Sequence, residues 1–124
     1  MDIGDVYISA ITPVEVIAAL ARRSRSVGVA SERAWEGVSE FRAALAAALY
    51  SLVELTPTVL ADAASLAETH YLTGYDAVQL AAALAVRWTQ GPGEESLILL
   101  SADDELNAAA ARESLPVENP AHDA

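Results

Sequence analysis

The stretch from Leu72 to Asp104 constrains this chain most, because it carries a helix, a breaker and a strand ending in acid, in that order. Thr73-Gly74 opens an Ala/Leu-rich run with Asp76 in its first turn, and Gln90-Gly91-Pro92-Gly93 ends it. Leu97, Ile98, Leu99 and Leu100 follow as a short continuous apolar run that stops on Ser101-Ala102-Asp103-Asp104. Four aliphatics in a row between breakers predict a strand buried on both faces. A helix feeding such a strand is an α/β unit, and the rest of the chain is read around it.

Upstream, the same alternation recurs. Val6 to Ile11 is rich in β-formers and predicts a strand, which runs into Thr12-Pro13-Val14-Glu15. Thr at the cap, Pro at the first helical position and Glu three residues after the cap predict a helix from Pro13 to about Ser24. After a loop from Ser26 to Ala30, Ser31 is placed to cap a second helix to about Leu49, with Trp35, Val38, Phe41, Leu45 and Leu49 as its core stripe. Ser51 to Leu55 predicts a strand, and Thr56-Pro57 a helix through roughly Tyr71 with Val59, Leu60, Ala63, Leu66, Ala67 and His70 on one face. His70 reads as a helix C-terminal cation rather than a ligand, and His122 lies in a polar tail. An Ala-rich helix from Glu105 to about Arg112 and an edge strand at Pro116-Val117-Glu118 close the chain. Strands alternating with helices throughout predict a parallel sheet covered by helices, in a single domain.

Composition narrows the function classes. At 124 residues and 53% apolar content the chain is sized for one domain with a real core. It has no cysteine, which removes disulfides, zinc-thiolate sites and thiol nucleophiles together. Its longest apolar stretch, Ala43 to Val53, falls short of the roughly 20 residues a bilayer span needs. Met1 is followed by Asp2 and Asp5 without a basic n-region, so no secretory signal is visible and a cytoplasmic protein without membrane partners is expected. A net charge of −11 argues against sequence-independent clamping of nucleic acid. It leaves room for a nucleic-acid enzyme whose acids gather at a metal. All seven basic residues are arginines, and Arg22, Arg23, Arg25 and Arg33 cluster; they fit a solvated helix end, or a patch for RNA phosphate or a partner.

In an open parallel sheet, function sits outside the carboxyl ends of the strands. Glu15, Asp76 and Asp103 all map to such loops. Three converging carboxylates repel one another, and a hard divalent cation, Mg²⁺ or Mn²⁺, resolves the conflict through oxygen ligation. Each acid also has a local reading: Glu15 with Thr12, Asp76 with Thr73 and Asp104 with Ser101 all form the spacing of a capping box.

Tyr75-Asp76-Ala77-Val78-Gln79-Leu80-Ala81-Ala82-Ala83-Leu84 resembles the YDA-x-x-LAAAL signature of PIN-domain proteins. Leu99-Leu100-Ser101-Ala102-Asp103 resembles that family's strand ending in T/S-x-D. Ser9 to Val16 resembles its S-x-x-T-x-x-E segment, and Leu115-Pro116-Val117 its closing strand. The resemblance implies a three-layer α/β fold and a Mg²⁺- or Mn²⁺-dependent endoribonuclease, most often a VapC-type toxin of a toxin–antitoxin pair. It further implies Glu15, Asp76 and Asp103 as metal-ligating catalytic acids, metal-activated water as nucleophile, RNA as substrate, an antitoxin protein as partner and a homodimer. Gln79 stands where many members have His. The family also has a first, central strand ending in an acid, and nothing before Val6 matches it. Three explanations stand open: a start upstream of Met1, a natural remnant, or a second chain that fills the gap. The competing function is a catalytically impaired PIN remnant that dimerises or binds an antitoxin.

Overall fold

A computed structural model describes residues 5–25, 27–90 and 97–121. Asp2, Ser26, the Gly91-Pro92-Gly93 breaker and His122 lie outside the described residues. The chain divides into two compact units, Met1–Val53 and Glu54–Ala124, each described by itself.

In the first unit, strand β1 (Tyr7–Ser9) pairs in parallel with β2 (Ser51–Val53), Ile8 standing opposite Leu52. Helices α1 (Thr12–Arg23) and α2 (Val29–Ala46) connect them and pack on each other. Their approach is close at Gly37, where a Cβ would sit 3.3 Å from Leu20 Cδ2. Two sequence expectations change here. Thr12 lies inside α1, not at its cap; Ile11 takes the cap position, and the Thr12 hydroxyl stands 3.3 Å from Ser9 Oγ. Likewise α2 starts before Ser31, at a cap formed by Gly28 with φ 77°, a conformation glycine adopts without a Cβ penalty. Ser31 instead donates to Ser24 O at 2.8 Å.

The expected stripe on α2 is only partly used. Val38 is buried, but Trp35 is 55% exposed and Ala34 takes the inward position; α2 stops at Ala46, short of the expected Leu49, which lies beyond its end and is 64% exposed. The reason is steric economy: two helices that approach over a glycine seat small side chains between them, and a Trp does not fit there.

The second unit has the larger core. Helix α3 (Pro57–His70) and helix α4 (Gly74–Gln90) pack against each other, and α5 (Asp104–Arg112) lies on α4. Thr56 caps α3 as its sequence predicts, accepting from Val59 N at 3.1 Å, with Pro57 as the first helical residue. Leu80, Ala81, Leu106, Ala109, Ala110 and Leu115 form the centre of the packing. Val59 and Ala63 face it, whereas Leu60, placed on the same face by its spacing, is 47% exposed.

Strand β3 (Leu99–Leu100) pairs in parallel with β4 (Val117–Glu118). Burial on both faces does not occur: Leu97 and Leu99 pack on the core, while Ile98 and Leu100 are 52% and 66% exposed. Side chains alternate across a strand, so helices on one face of a two-stranded ladder bury only every second residue. The architecture is therefore α/β, dominated by helices, with four short strands in two parallel pairs among the described residues. No helix of the described residues is long and apolar enough to cross a membrane.

Candidate functional site

Two acids meet in the second unit, each brought there by a helix N-terminus. Asp76 lies in the first turn of α4, where its backbone N–H donates to Thr73 Oγ1 at 3.3 Å, so the predicted Thr73 cap forms. Asp103 follows β3 and is itself the cap of α5, accepting from Leu106 N at 2.8 Å. This corrects the expectation that Ser101 caps this helix with Asp104 as its partner. Ser101 Oγ instead accepts from Asp103 N at 3.1 Å, tightening the turn that presents the acid.

The pair is electrostatically strained. Partial burial pushes the Asp76 carboxyl above its ordinary value of 3.8; Asp103 and Glu105 push it further the same way, against a hydrogen bond from Thr73 that lowers it. Glu105 is a participant that spacing did not single out. Its signal was present, two residues beyond Asp103 in the first turn of the helix, but one of three consecutive acids at a helix start reads as dipole compensation.

Glu15, the third predicted acid, lies in the first turn of α1 in the first unit, half-buried, with its backbone N–H on Ile11 O at 3.2 Å. Arg22 and Arg23 end α1, Arg25 follows it, and all three are exposed. His70 is no lone helix-end cation: its side chain is 5% exposed, and Nε2 is 2.8 Å from Glu113 Oε2. Arg87 donates to Glu113 O at 3.0 Å.

The donor chemistry of the second unit suits a hard cation. Asp76, Asp103 and Glu105 offer carboxylate oxygens, and the buried Oδ1 of Asn107 has no hydrogen-bond donor among the described residues. Among those residues, no three His, Asp or Glu side chains gather closely enough to cage an ion. What the described residues bring together is a pair of carboxylates, Asp76 and Asp103, that feel each other's charge; one or two carboxylates are the usual protein share of a Mg²⁺ shell that keeps its waters.

The PIN domain family matches residues 1–112. The chain belongs to the PIN-domain family. Neither a curated protein nor a solved structure gives a match. PIN domains are a nuclease family and generally use divalent metal ions. Asp76 and Asp103, the two acids brought together here, both lie within the matched residues.

A consequence for stability follows from the raised carboxyl. The folded protein holds the Asp76 proton to higher pH than the unfolded chain, so this contribution is complete below pH 3.8 and is lost as pH rises through the raised value. At neutral pH and without metal, Asp76→Asn is expected to stabilise the protein by up to about 1 kcal/mol, the scale of a solvent-screened charge pair. Urea midpoints of the metal-free proteins check this. The gain should vanish below pH 3.8; an equal gain at both pH values would assign it to something other than charge.

Proposed function

We propose that this PIN domain is a Mg²⁺- or Mn²⁺-dependent endoribonuclease, the toxin of a type II toxin–antitoxin system, acting in the cytoplasm. The observation that carries the reading is the pairing of Asp76 with Asp103 beside the carboxyl end of β3, in a chain of a nuclease family. Asp76 and Asp103 hold the cation, with Glu15 as the third ligand on the strength of its match to the family segment. When bound, the cation supplies Lewis acidity: it lowers the pKa of water and offsets charge on the phosphodiester. The chain's own contribution is placement. Ser101 and the α5 N-terminus fix the Asp103 carboxylate, and Thr73 steadies Asp76. Arg22, Arg23 and Arg25 contact RNA phosphates in this reading, supported by their exposure.

The finer fold and the partners are part of the same proposal. The whole chain forms one three-layer PIN-like domain lacking the family's central first strand, and it assembles as a homodimer with an antitoxin protein as its inhibitor. Among the described residues the strands pair two by two, which supports that reading. The same observation, with the absence of a third acid beside Asp76 and Asp103 among the described residues, favours a second reading. That reading is an impaired PIN remnant that serves as a dimerisation or antitoxin-binding module.

Cleavage of a mixed RNA substrate separates the two. The purified chain is expected to cut RNA with Mn²⁺ or Mg²⁺ and to stop on addition of EDTA. Products no more abundant than in the EDTA control would leave the binding module as the function.

A further inference from the structure

Charge is unevenly placed along this chain. Residues 22–33 hold four of its seven arginines and one of its 18 acids, in a protein whose net charge is −11. Arg22, Arg23, Arg25 and Arg33 are all exposed, and none of them forms an ion pair among the described residues. Helix dipoles explain only part of this. Arg22 and Arg23 stand in the last turn of α1, where the carbonyl end favours a cation. Arg33 stands near the start of α2, toward the end that disfavours one, so the dipole does not explain it.

Two contacts fix how the helices meet. Leu20 of α1 lies against Gly37 of α2, and Ser31 Oγ donates to Ser24 O at 2.8 Å. These partners run in opposite order along the chain, so the helices are antiparallel. Each residue advances about 100° around its own helix axis. Counted from the Leu20–Gly37 contact, Arg23 lies about 60° to one side on α1 and Arg33 about 40° to the same side on α2, because antiparallel helices wind in opposite senses. Ala34 and Val38 fall on the other side and are buried, which leaves the two arginines on the solvent face. Glu36 and Glu40 continue that face away from the turn, so its positive end is the end at the turn. By the same count Arg42, also exposed, points away from α1.

Exposed guanidinium groups without acids to bind suit a phosphate backbone, which they grip through paired N–H donors. A duplex carries one phosphate per about 1.7 Å, twice the density of a single strand, and a chain of net charge −11 repels it more. We propose that Arg33, together with Arg23, forms a phosphate-binding face at the turn end of the α1–α2 pair. This face holds the backbone of single-stranded RNA without reading its sequence and without the metal. The inference rests on the RNA-directed reading above, in a chain of a nuclease family, and extends it to Arg33.

The test is fluorescence anisotropy of a labelled uridine oligonucleotide titrated with the full chain in EDTA, across a series of KCl concentrations. For a single strand, each phosphate contact contributes about 0.7 to the slope of log affinity against log salt. Arg33→Gln and Arg23→Gln are each expected to lower that slope by about 0.7 and to weaken binding about 5-fold at about 0.1 M KCl. Arg42→Gln removes the same charge from the far side of α2 and should change neither. A wild-type slope in Arg33→Gln would overturn the inference, and so would an equal loss in Arg42→Gln, by showing an effect of net charge alone. Cleavage of RNA by the wild-type chain with no binding in EDTA would overturn it and leave the nuclease reading standing. A chain that neither binds nor cuts RNA would overturn both. Binding of a poly-glutamate peptide through Arg33, with none of the RNA, would overturn it in favour of an acidic partner.

Discussion

Asp103→Asn is expected to lower metal-dependent RNA cleavage by about 100-fold or more while leaving the metal-free fold at least as stable as wild type. The reason is that Asp103 does two things with one carboxylate. One oxygen accepts from Leu106 N and caps α5, and the charge faces Asp76. Asparagine caps a helix about as well as aspartate, so this substitution keeps the hydrogen bond and deletes the charge. Loss of an outer contact to a metal already costs about 10- to 100-fold, and loss of a direct ligand should cost no less. Asp103→Ala makes the contrast, since it also forfeits the cap, worth about 1 kcal/mol. Initial cleavage rates at saturating Mn²⁺, with urea midpoints of the metal-free proteins, read both effects. If Asp103→Asn cleaves RNA at the wild-type rate, Asp103 is a cap and nothing more.

The largest effect on stability is expected at Leu80. It is 0% exposed on α4 and is among the largest fully buried side chains. Leu80→Ala should cost about 2–5 kcal/mol, the range for a buried leucine truncated in place. The upper part of that range applies here for a local reason. Among the buried neighbours are Ala77, Ala81, Ala109 and Ala110, which have no rotamers with which to move into the space. Trp88→Ala on the same helix removes more atoms but from a side chain 87% exposed, and should change stability by less than about 0.5 kcal/mol. Urea unfolding of the two variants gives the comparison. Equal losses would mean that the α3–α4 packing does not control the stability of this unit.

Where a signal is local, the sequence reads well. Thr56-Pro57 starts a helix because the cap acceptor and the fixed proline φ act within one turn, and Thr73 meets Asp76 by the same three-residue reach. The order of strands and helices along the chain follows from such signals together with periodicity. Local rules also mislead where two residues compete for one role. Ser101 and Asp103 both suit a cap, and the spacing cannot tell that the serine supports the aspartate rather than the helix.

Other features depended on partners distant in sequence. The exposure of Trp35 reflects what α1 brings to α2, which no stripe on α2 alone encodes. Ile98 and Leu100 look like the core of a sheet until the number of neighbouring strands is known. Of the candidate site, the nearness of Asp76 and Asp103 was legible through the segments that resemble the family. Glu105 was not, since its influence on Asp76 acts through space between two helices. His70 hid its partner for the same reason, with Glu113 standing 43 residues away.

Glu113 fastens more than one histidine. Its carboxylate holds the last residue of α3, its carbonyl takes the Arg87 guanidinium from the last turn of α4, and its N–H closes α5 on Ala109 and Ala110. Helix ends ordinarily fray one at a time, each at its own small cost. These three share a single residue just past α5, so loosening any of them at Glu113 disturbs a contact that the others use. The second unit thus has, besides its core, a latch that ties the ends of three helices together, while its acids stand at helix beginnings.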